Sequence, residues 1–148
     1  MIKKTFFGIL AMLALVCAGS WYFIHQNQAQ AVKAEARKTF IQSSRPTIFF
    51  HGWGSSSRAE RHMANAAKNA GVTQTIIEAK VAEDGTVTLK GTIPKDAVNP
   101  IVLVNFDNNR GASTQDQGNY AFAVVKALQD TYGITEMNMV AHSYGNMA

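Results

Sequence analysis

Met137-Asn-Met-Val-Ala-His-Ser-Tyr-Gly-Asn-Met-Ala148 is the stretch on which the reading of this chain turns. A short apolar run leads into Ala141-His142-Ser143-Tyr144-Gly145, a small-x-Ser-x-Gly pattern with Ala where Gly is commoner. Crowding explains such a pattern. A strand that bends sharply into a helix, with a serine strained at its tip, has room only for small residues two positions before and after. Ser143 is therefore a candidate nucleophile. Ser-x-Gly by itself is a weak signal, and a turn serine or helix cap is the plain alternative. The context strengthens it, because Met137–Ala141 reads as a strand and the residues after Ser143 can open a helix.

Working outward, Arg45-Pro46 opens a domain and Thr47-Ile-Phe-Phe50 reads as a short buried strand. The glycine-rich loop His51-Gly-Trp-Gly-Ser-Ser follows. Ser57-Arg-Ala-Glu60 fits a capping box, Met63, Ala66, Ala67 and Ala70 recur at helical spacing, and Gly71 closes the helix. Thr75 to Ile93 reads as a hairpin. A three-residue loop, Glu83-Asp84-Gly85, keeps its apolar residues on one face by pairing Val81 with Val87 and Ala79 with Leu89, with Gly85 left-handed. Ile101-Val-Leu-Val-Asn-Phe106 is a continuous apolar run of the buried, parallel-sheet kind. A second helix starts at Ser113 or Thr114, buries Tyr120, Val124, Ala127, Leu128 and Thr131, and stops at Gly133. This order predicts an α/β fold with a mostly parallel sheet and an extra β-hairpin.

The serine needs partners. A helix opening at the elbow aims N–H groups at a reacting carbonyl, so the amide of Tyr144 is one candidate oxyanion donor. The loop after the first strand supplies the other, the amide of Trp53, with Gly52 and Gly54 letting the backbone approach. His51 reads as loop structure, its imidazole bonded to nearby backbone. His142 stands beside the serine, pointing away from it, and Ala141 and Gly145 supply the small flanks. His62 reads as solvated. Asp107, at the end of a strand, reads as a turn former. No histidine of the chain is a good general base. In this motif the acid and the histidine follow the serine, so both are expected beyond residue 148.

Before residue 45 the chain is of another character. Lys3 and Lys4 precede Phe6–Ile24, 19 residues without a charge. Two readings stay open: a membrane anchor through Phe6–Ile24, or a signal peptide cleaved after Ala29-Gln30-Ala31. Either one exports the rest. The expected organisation is 1–31 signal peptide or membrane anchor, 32–44 polar stalk, and 45–148 catalytic-type domain. From Val32 onward 12 basic residues face 10 acidic ones, which is no footprint for nucleic acid. Cys17, the single cysteine, excludes an intrachain disulfide, and no Cys/His spacing suits a metal. No cofactor is expected.

With these residues placed, the chain resembles the α/β-hydrolase superfamily, and within it an uncharacterised family of cell-surface hydrolases from Gram-positive bacteria. The resemblance covers about residues 45–148. It is carried by the apolar leader, the strand–His51-Gly-Trp-Gly-Ser loop, the hairpin before Ile101, Asn105-Phe-Asp-Asn-Asn-Arg110, and Met139-Val-Ala-His-Ser-Tyr-Gly145. It implies the N-terminal half of an α/β-hydrolase fold, with Ser143 as nucleophile and the Trp53 and Tyr144 amides as oxyanion hole. The partner it implies is a small-molecule ester or lipid-like substrate. Two functions follow. The first is an exported serine esterase working through an acyl-enzyme. The second is a catalytically silent remnant or membrane-anchored binding module, with its last strand an open edge bearing Met137, Met139 and Val140.

Overall fold

A computed structural model describes residues 2–148, and the side chains of residues 2–11, 33, 36 and 37 lie outside the described residues. Helix α1, Ile2–Thr39, runs through the segment read as leader or anchor and into the one read as a stalk, as one continuous element. Among the described residues no helix is long and apolar enough to cross a membrane. Part of the run read as an anchor, residues 6–11, falls among the side chains not described.

The domain that follows is a five-stranded sheet: β1 Thr47–Phe50, β2 Ile76–Val81, β3 Val87–Lys90, β4 Ile101–Phe106 and β5 Asn138–Ala141, in the order β3-β2-β4-β1-β5. All neighbours pair in parallel except β2 and β3. Helix α2, Arg58–Asn69, and helix α3, Thr114–Tyr132, connect the parallel strands.

The apolar run of β4 has two faces to satisfy. Val102, Val104 and Phe106 join Ile48, Phe50, Ile77, Ala79 and Val81 in a core closed by Tyr120, Val124 and Leu128 of α3. Ile101 and Leu103 turn the other way and meet Ala64 of α2. A strand covered on both sides has no polar face, which is why its sequence shows no alternation. Each large side chain that α3 buries contributes about 1.5–3 kcal/mol.

The hairpin takes the register expected of it. Val81 faces Val87 and Ala79 faces Leu89. Gly85 has φ +85° and its amide donates to Ala82 O at 3.0 Å, closing the turn. β5 lies at the sheet edge, with Met139 and Val140 exposed and Met137 half-buried.

The helices depart from the expected pattern in three ways. First, Ser57 caps nothing: it is itself in right-handed helical conformation, which takes its hydroxyl away from the Glu60 amide, and the hydroxyl donates instead to Glu78 Oε2 at 2.7 Å. Burial alone would push the Glu78 carboxyl up. The bonds from Ser57 and Lys90, with the charge of Lys90 and Arg61 nearby, outweigh it and hold the group below its usual range. Second, α2 presents Glu60, Ala64 and Ala67 to the sheet, so Met63 and Ala66 are exposed. Third, the stripe of α3 drifts with the 3.6-residue period through Gln117, Ala121 and Leu128, leaving Ala127 half-buried and Thr131 in solvent. The capping box missing from α2 is present at α3, where Ser113 and Asp116 cap each other's amides.

Candidate active site

The C-terminal ends of β1, β4 and β5 bring three loops together: residues 51–57, 107–113 and 142–148. This is the end of an open α/β sheet at which ligands bind.

At the elbow, Ser143 has φ +52°, one of two non-glycine residues with positive φ among those described. Left-handed backbone costs a serine about 1–2 kcal/mol. The chain then runs into a short 3-10 turn, Ser143–Met147. Gly145 shows why its position must be small. A Cβ there would lie 2.5 Å from Phe50 O and 2.9 Å from His51 O, both backbone atoms that cannot move aside. Ala141, half-buried, pairs with Phe50 across the parallel ladder. The Ser143 hydroxyl is exposed, and among the described residues it has no hydrogen-bond partner.

The loop after β1 meets this bend directly. A Cβ on Gly52 would lie 3.4 Å from Ser143 Cβ and 3.1 Å from His142 Nδ1. Neither the Trp53 amide nor the Tyr144 amide donates a hydrogen bond to the backbone among the described residues. Gly54 has φ +65°, and its amide donates to Asn109 O at 2.7 Å.

His51 is buried and both of its nitrogens are engaged. Nε2 accepts the Phe106 N–H at 3.1 Å, so Nδ1 carries the proton and donates to Gly52 O at 2.8 Å. The ring sews the glycine loop to the end of β4. His142 is exposed beside the serine, and His62 is exposed on α2. Asp107 follows β4, where its carboxylate pairs with Lys80 at 2.9 Å and its amide donates to Val81 O.

The loop after β4 braces both residues proposed from sequence as oxyanion donors. Trp53 Nε1 donates to Arg110 O at 3.2 Å, and the Tyr144 hydroxyl donates to Ala112 O. The Arg110 guanidinium lies over the Trp53 ring, 5.4 Å from its centroid. Reading the sequence missed this bracing role, since the acceptors are backbone carbonyls and any residue type supplies one. Among the described residues no cluster of His, Cys, Asp and Glu is arranged to hold a metal ion. Two clefts, of about 410 and 600 Å³, lie elsewhere, walled in part by Asn99 and Thr75 and by Arg45 and Tyr132 respectively.

Residues 34–148 match the model of a family described as alpha/beta hydrolase of unknown function (DUF915). The chain belongs to this α/β-hydrolase family. Two solved structures agree. The product of gene lin2722 from Listeria innocua is 28% identical, with a TM-score of 0.67 over 72% of this chain and 42% of that one. A chain described as a cell surface hydrolase from Lactobacillus plantarum WCFS1 is 25% identical, with a TM-score of 0.59 over 68% of this chain and 42% of that one. The α/β-hydrolase chain thus spans less than half the length of either relative. No curated protein matches it.

Proposed function

We propose that this chain is the N-terminal part of an exported serine hydrolase that cleaves carboxylic esters through an acyl-enzyme on Ser143. The observation that carries the reading is the strained, exposed and unpartnered Ser143, with Gly52 kept small against it and Gly145 kept small against the backbone of Phe50 and His51. Ser143 Oγ attacks the ester carbonyl, and the proton passes to a histidine supplied by a C-terminal continuation and oriented there by an acid. The carbonyl oxygen becomes an anion between the amides of Trp53 and Tyr144. It collapses as the alcohol leaves with that proton, and water then releases the acid by the same steps in turn. Membership of the α/β-hydrolase family and the unengaged amides support this assignment.

Export rests on Lys3, Lys4 and the apolar run Phe6–Ile24, retained as an anchor or removed after Ala31, with residues 32–44 as a stalk. The Lactobacillus relative, described as a cell surface hydrolase, favours the same placement.

One observation favours the silent or binding-module reading: among the described residues no histidine is placed to act as base, since His51 is committed to backbone on both sides. Fluorophosphonate labelling of the protein as encoded in full separates the two. Covalent labelling at Ser143, absent from Ser143→Ala, is expected. A folded protein that stays unlabelled would leave the binding module as the function.

A further inference from the structure

Arg110, in the loop after β4, has no carboxylate partner among the described residues. Asp107 is taken by Lys80. Asp116, in the first turn of α3, is turned toward Ser113, whose hydroxyl and amide hold its carboxyl below the usual range. Arg110 stands between them, exposed, and forms no ion pair among the described residues. Arg58, the exposed first residue of α2, forms none either.

Arg110 is nonetheless held in place. Its carbonyl receives the Trp53 indole N–H, its guanidinium lies over that ring, and the guanidinium Nε comes within 3.3 Å of where a Cβ on Gly54 would stand. A guanidinium held over an aromatic ring keeps donors at its edge free for a planar anion, and the ring restricts part of the rotamer freedom that a wholly free arginine must give up on binding. The position matters as much as the chemistry. Arg110 packs against Trp53 and Gly54, in the same glycine loop as Gly52, the residue that abuts Ser143.

We propose that Arg110, lying over Trp53, is an anion subsite on the rim of the site around Ser143, and that the preferred substrates are esters carrying a carboxylate or another small anionic group. This inference rests on the hydrolase reading and narrows its substrate class. A neutral ester gains nothing from the guanidinium. An anionic one gains a charge-assisted hydrogen bond at a partly exposed site, worth about a factor of ten.

The test uses the protein as encoded in full and two matched pairs of esters. p-Nitrophenyl hemisuccinate against p-nitrophenyl butyrate places the charge on the acyl side. 4-Acetoxybenzoate against phenyl acetate places it on the leaving group. The quantity read is the ratio of kcat/KM for the anionic ester to that for its neutral partner. In Arg110→Gln the ratio falls about tenfold for at least one pair, and Arg110→Lys, which keeps the charge without the planar fork, recovers part of it. Raising the salt concentration shrinks the difference between wild type and Arg110→Gln. A ratio that Arg110→Gln leaves unchanged in both pairs, while Ser143 still labels with a fluorophosphonate, would overturn the anion subsite alone. Loss of labelling in the wild type would overturn the hydrolase reading and the subsite with it.

Discussion

Asn99 and Ser143 share an unusual backbone, with φ +47° and +52°, and they hold it for opposite reasons. Asn99 is compensated on the spot. Its amide donates to Ser43 O, its Oδ1 accepts the Ser43 amide, and its Nδ2 donates to Ile41 O and Val72 O. Asparagine also tolerates the left-handed region better than most residues. The strain there fastens the segment after α1 to the base of the domain. Ser143 has no such return from its side chain, whose hydroxyl stands exposed without a partner. What imposes its conformation is the packing of Gly145 beneath Phe50 and of Gly52 alongside. Strain that its own side chain repays is architecture. Strain enforced by neighbours, with a hydroxyl left free at its tip, is the arrangement that the proposed nucleophile requires.

That contrast can be broken in graded ways. The largest effect is expected from Gly145→Ala, whose new methyl meets backbone at 2.5 Å and has nowhere to go. A loss of about 3 kcal/mol or more in urea unfolding is expected, and a change below about 1 kcal/mol would show that the bend is not set by this contact. Next comes Asn99→Ala, which gives up the side-chain bonds and the left-handed tolerance together, about 2–3 kcal/mol by the same measurement. Asn99→Gly, which restores only the backbone freedom, should return about 1 kcal/mol of that. Ser143→Gly runs the other way. It should raise stability by about 1 kcal/mol, because glycine adopts the left-handed backbone without strain, and under the proposed function it abolishes fluorophosphonate labelling. A destabilised Ser143→Gly would make Ser143 a second Asn99.

The smallest effect lies at the start of α3. Hydrogen bonds from the Ser113 hydroxyl and amide hold the Asp116 carboxyl below its usual range. A lowered carboxylate stabilises the fold above the ordinary aspartate range and loses that contribution as pH falls through its own lower value. A slight fall in melting temperature is therefore expected on acidification below about pH 4. It should be reduced in Ser113→Ala.

Most of the sheet could be read in advance because its signals are local. β1 and β4 are runs whose composition suits only a buried strand, and the register of the hairpin follows from keeping Val81, Val87, Ala79 and Leu89 on one face. The elbow was legible for the same reason, since crowding within five residues leaves a mark at each of them. What escaped was decided at a distance. Ser57 and Glu60 spell a capping box as well as Ser113 and Asp116 do, yet Glu78, on a strand not reached until residue 76, draws the Ser57 hydroxyl away. The sheet-facing side of α2 is set by packing against Ile101 and Leu103, which buries Ala64 and leaves Met63 exposed. The bracing of Trp53 and Tyr144 falls on carbonyls, and no residue type announces it.

The strand order has a consequence in time. β1 is made first but sits between β4 and β5, which begin at residues 101 and 138. Thr47–Phe50, with the glycine loop behind it, must therefore wait on the nascent chain until much later residues emerge to flank it. A chain whose first-made strand is flanked on one side by its last-made one is expected to mature slowly and to depend on folding helpers.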